Sequence, residues 1–217
     1  MIDAVVFDLD GVIVDSEQVW DEVRVDLVHA AGLPFPPEAT RAMMGMSSPE
    51  WSRYLVEQLG IPGTPEQANA AVVERMLEHY AEGPPFIPGA LAAVRRIGEQ
   101  WPLAIASSSN RELIAVVLEA GALDSLVPVA VSSEEVGRGK PAPDVYLEAT
   151  RLLGVEPRHA VAVEDSQNGI RSANAAGLRV IAVPNLHFPP DAESLALADV
   201  VLGSIAELTP AVVEAAG

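Results

Sequence analysis

The sequence predicts an α/β protein, a doubly wound parallel sheet (Rossmann-like) with an all-helical cap inserted behind the first strand. Two observations carry that expectation. Short, uninterrupted apolar runs recur along the chain, and from Pro88 onward helical segments separate them. Between residues 16 and 83 the alternation stops, and only helical spacing remains.

Residues 4–7 form the first apolar run, which stops abruptly at Asp8-Leu9-Asp10-Gly11. A short stretch without polar alternation reads as a strand buried on both faces. Residues 103–106, 127–131, 160–163, 180–183 and 199–202 repeat the pattern. Helices fall between them. Ser109-x-x-Glu112 reads as a capping box opening a helix that Gly121 closes. Residues 143–154 and 167–177 form two more, and Ser204-x-x-Glu207 caps the last.

In the helical segment, Val19, Val23 and Leu27 share one spacing; Trp51, Leu55 and Leu59 share the next; Ala68, Val72, Met76 and Tyr80 share a third. Thr64-Pro65-Glu66-Gln67 supplies a cap residue, a proline at the first helical position and a capping-box partner. Gly83-Pro84-Pro85 and Pro88-Gly89 make the return linker. The expected domains are therefore a core of residues 1–15 and 84–217 and a helical cap of residues 16–83.

The totals exclude several classes. At 217 residues, 49% hydrophobic and 20% charged, the chain can bury a sizeable core. A net charge of −18 repels nucleic acid and anionic membrane surfaces. It would also repel a phosphate ester, so an anionic substrate requires a local cationic site. With no cysteine, disulfides and thiolate chemistry are excluded. No basic segment precedes an apolar stretch at the N-terminus, and no apolar run reaches the length of a membrane span. A cytoplasmic protein is expected, as a monomer or weak dimer.

Open parallel sheets bind ligands at the carboxyl ends of their strands. The polar residues there are Asp8 and Asp10, Ser107, and Glu164 with Asp165, while Lys140 sits in a loop after residues 127–131. Carboxylates crowded together raise one another's pKa unless a cation lies among them. An oxygen-only ligand set selects a hard ion, and a site shared with phosphate selects Mg²⁺. A carboxylate can also act as a covalent nucleophile towards phosphorus, leaving its neighbour free as general acid and base. Taken singly, each residue has a plainer explanation as a cap, turn or surface group. Their order along the sheet edge favours a site.

These residues resemble the four motifs of the haloacid-dehalogenase-like hydrolase superfamily. Asp8-Leu9-Asp10-Gly11-Val12, followed by Asp15-Ser16-Glu17, is similar to the first motif, and Ala106-Ser107-Ser108-Ser109 to the second. Gly139-Lys140-Pro141-Ala142-Pro143-Asp144 is similar to the third, and the run from Val163 through Ile170 to the fourth. The pattern is nearest the β-phosphoglucomutase-like and phosphoglycolate-phosphatase-like branch. The resemblance implies that Asp8 attacks phosphorus and binds Mg²⁺. It makes Asp10 the general acid and base, with its carbonyl on the metal. Ser107, Ser108 and Lys140 would hold the phosphoryl oxygens, and Asp165 with Glu164 would complete the metal shell.

The implied reaction is hydrolysis of a small phosphorylated metabolite, such as a sugar phosphate or phosphoglycolate, and the alternative is a phosphomutase. The mutase pattern has a cap histidine and a later Gly-Val-Ser-Arg stretch. Here Trp20 and Gly45-Met46-Ser47-Ser48 occupy those positions, without the histidine or the arginine, and Arg41 or Arg53 would have to substitute. Asp10 and the acidic fourth motif argue against a true dehalogenase, and intact motifs argue against a non-catalytic binding protein. Trp20, Met43, Met44, Met46 and Trp51 read as core, with the methionines possible lining for an apolar pocket. His29, His79, His159 and His187 fall outside the motifs, and surface or structural roles are expected.

Overall fold

The computed structural model describes residues 1–43 and 46–217. Among these, six parallel strands form one sheet: β1 (Ala4–Phe7), β2 (Leu103–Ser107), β3 (Val129–Ser132), β4 (Ala160–Glu164), β5 (Arg179–Ala182) and β6 (Val200–Val201). Their spatial order is β3-β2-β1-β4-β5-β6, so strand order reverses between β1 and β4. That reversal opens a crevice at the carboxyl ends of the two central strands. The register pairs Phe7 with Ile105 on one side and Val163 on the other, which brings Asp8 level with Glu164.

The apolar runs form central strands because both their faces are covered. Val5, Phe7, Leu103, Ile105, Val161, Val163 and Ile181 join a core with α5 (Ala90–Gly98), α6 (Arg111–Ala120) and α10 (Pro210–Ala216). Val6, Ala104, Ala106, Ala160, Ala162, Val180 and Ala182 pack with α7 (Asp144–Leu153) and α8 (Gln167–Ala176). Truncating fully buried Ile105 to alanine would cost about 2–5 kcal/mol. None of the described residues belongs to a helix long and apolar enough to cross a membrane.

Residues 16–83 carry α1 (Glu17–Ala30), α2 (Pro37–Met43), α3 (Ser48–Glu57) and α4 (Pro65–Tyr80), and no strand among the described residues. The start of α4 is as the sequence reads. Gln67 N donates to the Thr64 hydroxyl at 3.3 Å, and Thr64 N donates back to Gln67 Oε1 at 3.0 Å. The outgoing and returning connections run side by side, with Asp15 N on Pro85 O at 2.8 Å and Ile87 N on Ile13 O at 2.9 Å.

Some expectations need correction. The buried residues of α1 are Trp20, Val23, Arg24 and Val28, so the inward stripe is rotated from Val19, Val23 and Leu27. The third strand begins at Val129, because Val127 N closes a turn onto Leu123 O and Pro128 has no N–H to give the ladder. The Ser109–Glu112 capping box does not form. Asn110 is the N-cap of α6, while the Ser109 hydroxyl donates to Asp10. Ser204 opens a single tight turn (Ile205–Glu207), and Thr209 caps α10.

Candidate active site

Asp8 leaves β1 at the crevice. Its Oδ1 accepts from Leu9 N at 2.7 Å, and its Oδ2 pairs with Lys140 Nζ at 2.9 Å. Lys140 comes from the loop between β3 and α7, and its Nζ also donates to Glu164 Oε1 at 2.6 Å. The Tyr146 hydroxyl, from α7, donates to that same oxygen at 2.6 Å. Glu164 Oε2 accepts from Asp165 N at 3.1 Å and from the Ser166 hydroxyl at 3.3 Å. Asp8, Lys140 and Glu164 thus form a buried chain of charges. Burial pushes the Lys140 ammonium down, but Asp8 and Glu164 outweigh it and hold the group above its ordinary value.

Asp10, two residues on, is held through both oxygens. Ser16 Oγ and Trp20 Nε1 (3.1 Å) donate to Oδ1, while Ser109 Oγ (2.6 Å) and Ser107 Oγ (3.4 Å) donate to Oδ2. Asp10 is therefore gripped from the sheet and from α1 at once.

Asp8, Glu164 and Asp165 can each offer a carboxylate oxygen, all within 4.8 Å of one another. Burial and then Glu164 push Asp8 and Asp165 well above the usual carboxylate range. A cation among them would reverse that push. Gly11, at a φ of +77°, lets the chain pass beneath this group. A Cβ there would lie 1.9 Å from Asp165 Oδ2. An all-oxygen donor set crowded around a space kept clear by a glycine fits a hard divalent ion such as Mg²⁺.

The carboxylates open into a cavity of about 440 Å³. Asp8, Asp10, Ser108, Ser109, Lys140 and Asp165 line it from the sheet side. Glu17, Trp20, Arg24, Arg41, Met43, Met46 and Trp51 line it from the helical side, with His187 and Phe188 at its rim. Of the expected site residues, Ser107 and Glu164 lie fully buried behind this wall, where they hold Asp10 and Lys140. Trp20, Met43 and Trp51 are both core and cavity wall. Met44 and Gly45 lie outside the described residues. His29 and His79 are exposed and His159 pairs with Asp3, but His187 reaches the cavity and bonds Gln18 Nε2 at 2.9 Å.

Arg24 escaped the sequence reading, and Glu17 entered it only as part of the first motif, with no role of its own. The Arg24 guanidinium carbon lies 4.8 Å from the Trp20 ring centroid and 5.1 Å from that of Trp51. The two rings stand 6.0 Å apart at 61°. Burial lowers the Arg24 pKa to about 10, against the pull of Glu17, Asp21 and Asp10, and the group remains a cation. Glu17 is pushed up to about 7 by burial and then by Asp10, with Arg24 opposing. At i, i+3 and i+7, Glu17, Trp20 and Arg24 share one face of α1. A charged pair astride a tryptophan on one helix face was the available signal.

The sequence profile of the haloacid dehalogenase-like hydrolases matches residues 2–177. The chain belongs to that family. Within it, this hydrolase is 33% identical over 215 residues to hexitol phosphatase B of Escherichia coli K12, covering 95% of this chain and 94% of the relative. It is 30% identical over 218 residues to a probable pseudouridine-5'-phosphatase of Drosophila melanogaster, covering 94% and 90%. Among solved structures, CbbY from Rhodobacter sphaeroides in complex with xylulose-(1,5)bisphosphate superposes with a TM-score of 0.84 at 29% identity, covering 98% of this chain and 99% of CbbY. The haloacid dehalogenase-like fold thus accounts for both the sheet order and the position of the crevice.

Proposed function

We propose that this hydrolase is a Mg²⁺-dependent phosphatase that removes phosphate from a small phosphorylated metabolite through an aspartyl-phosphate on Asp8. The observation that carries the reading is the pairing of two differently held aspartates on one cavity wall. Asp8 is tied to the buried Lys140 cation, and Asp10 is presented by hydroxyl and indole donors beside it. The names of relatives that act on phosphate esters support the same reading.

In this mechanism the Asp8 carboxylate attacks phosphorus while Asp10 gives its proton to the departing alkoxide. Asp10 then takes a proton from water, which attacks the same phosphorus and releases inorganic phosphate with Asp8 restored. Lys140 with Ser108 and Ser107 holds the phosphoryl oxygens, and Glu164 fixes Lys140 in place. Asp8, Asp165, Glu164 and the Asp10 carbonyl would hold Mg²⁺. The ion supplies charge neutralisation at the transferring phosphoryl group. Residues 16–83 act as a cap that encloses the leaving group and excludes bulk water during phosphoryl capture. Cytoplasmic residence completes the proposal.

A panel of phosphorylated metabolites assayed for phosphate release, with and without Mg²⁺, tests this function. Mg²⁺-dependent release from at least one sugar or polyol phosphate is the expected result. Interconversion of hexose 1- and 6-phosphates with a bisphosphate activator, without net release, would replace it with the mutase reading.

A further inference from the structure

The helical wall of the cavity holds a charge that the protein leaves incompletely answered. Arg24 is buried among Trp20 and Trp51, and its Nε has no hydrogen-bond partner. Among the described residues it also makes no ion pair within 4.0 Å. A buried, unpartnered donor on a residue that lines a substrate cavity calls for an acceptor from the substrate. Glu17, one face-turn away on the same helix, supplies the opposite capacity: with its pKa at about 7 it is largely ionised only above neutral pH, and in that form it only accepts.

Two kinds of leaving group could meet Arg24: one bearing a second anion, or one bearing hydroxyls. The surrounding charges separate them. At Glu17 the acids Asp10, Asp21 and Asp15 oppose the single cation Arg24. Glu17, Asp21 and Asp10 in turn all act on the Arg24 charge, opposing the effect of its burial. A second carboxylate or phosphate seated on Arg24 would therefore face several like charges. Arg41, the other cation on this wall, is exposed to solvent, which screens it. A hydroxyl meets neither penalty, since it accepts from a guanidinium and donates to a carboxylate. The Trp20 and Trp51 rings add apolar surface for the carbon skeleton.

We propose that Glu17 and Arg24 are specificity-determining residues that read neighbouring hydroxyls of an uncharged, polyhydroxylated leaving group and turn away one carrying a second anion. The inference rests on the phosphatase reading and narrows it to phosphate esters of neutral sugars or polyols, excluding phosphoglycolate-like acids.

Glucitol 6-phosphate and 6-phosphogluconate test it directly, because they share a six-carbon chain and differ at the far end. The unmodified enzyme should favour glucitol 6-phosphate by about tenfold or more in kcat/KM. Glu17→Gln keeps the side chain's size and removes its charge, and should lower the KM for 6-phosphogluconate so that the ratio drops about tenfold. Arg24→Met should raise the KM for glucitol 6-phosphate more than it lowers kcat, and Arg24→Lys should recover part of the loss. Equal cleavage of the two esters by the unmodified enzyme, or preference for 6-phosphogluconate, overturns the inference. An unchanged ratio in folded Glu17→Gln overturns the part assigned to Glu17. Failure to release phosphate from any ester, 4-nitrophenyl phosphate included, instead removes the phosphatase reading and takes this inference with it.

Discussion

The two walls of the cavity both bury charge, and they answer it differently. On the sheet side Lys140 touches Asp8 and Glu164, Glu164 also takes the Tyr146 hydroxyl, and Asp10 has donors on both oxygens. On the helical side Arg24 meets two indole faces, and its Nε has no hydrogen-bond partner. Cation–π contact with each ring contributes about 1–2 kcal/mol in a desolvated setting, which holds the guanidinium without occupying its N–H groups. The first wall thus holds its side chains in place before any substrate arrives and leaves its three carboxylates to share a cation, as suits groups that must keep one geometry through two chemical steps. The second keeps hydrogen-bonding capacity in reserve, as suits a surface that distinguishes one alcohol from another.

On that division, changes on the sheet side strike turnover and stability, and changes elsewhere strike less. Asp8→Asn should abolish turnover, by at least about a thousandfold in kcat, with an unaltered circular dichroism spectrum. Substantial Mg²⁺-dependent activity in that variant would refute the nucleophile. Lys140→Met should remove activity and also cost about 3–5 kcal/mol in urea unfolding, because Asp8 and Glu164 lose their buried cation.

Magnesium should act on stability with a definite pH dependence. Asp8 and Asp165 are raised above the usual carboxylate range in the metal-free protein, so the folded state binds more protons than the unfolded chain. Their contribution is least unfavourable in acid and worsens as pH rises through the folded pKa values. Melting temperature measured in EDTA and in Mg²⁺ should therefore diverge with pH, the gain from Mg²⁺ being larger at about pH 8 than at about pH 5. A gain independent of pH would break the link between the ion and these carboxylates.

Trp20→Phe tests the point where the walls meet. It keeps an aromatic face for Arg24 but removes the donor to Asp10 Oδ1. The loss of that hydrogen bond should lower kcat by about tenfold, with KM less affected. The smallest effect is expected at Arg53, which is exposed on α3. Arg53→Gln should leave both constants within about twofold.

The sheet and its polar edge were legible in the sequence because parallel strands buried on both faces leave unbroken apolar runs. Asp8, Asp10 and Lys140 follow those runs at positions where topology alone gathers them. The helical wall was less legible. Val23 is buried as the stripe of Val19, Val23 and Leu27 implies, and Trp20 is core as read, but Arg24 turns inward beside them, where a cation packs between two indole rings. Ser109 looked like a helix cap, since a hydroxyl three residues before Glu112 satisfies the capping pattern whatever else it touches; here it meets Asp10 across the sheet edge. Tyr146 gave no local signal, as its contact with Glu164 joins residues far apart in the chain. Such pairings depend on tertiary distance, and periodicity carries no record of them.

The aromatic wall also gives the molecule a built-in optical reporter. Of its three tryptophans, Trp20 and Trp51 line the cavity beside Arg24, whereas Trp101 is spent on a hydrogen bond to Ile2 O at 3.1 Å, away from it. Emission from the first two should respond when the cavity fills, through displaced water and the altered field of a neighbouring cation. Trp101 supplies a steady background. Replacing Trp101 alone would leave an intrinsic signal for ligand titration that needs no added dye and no turnover.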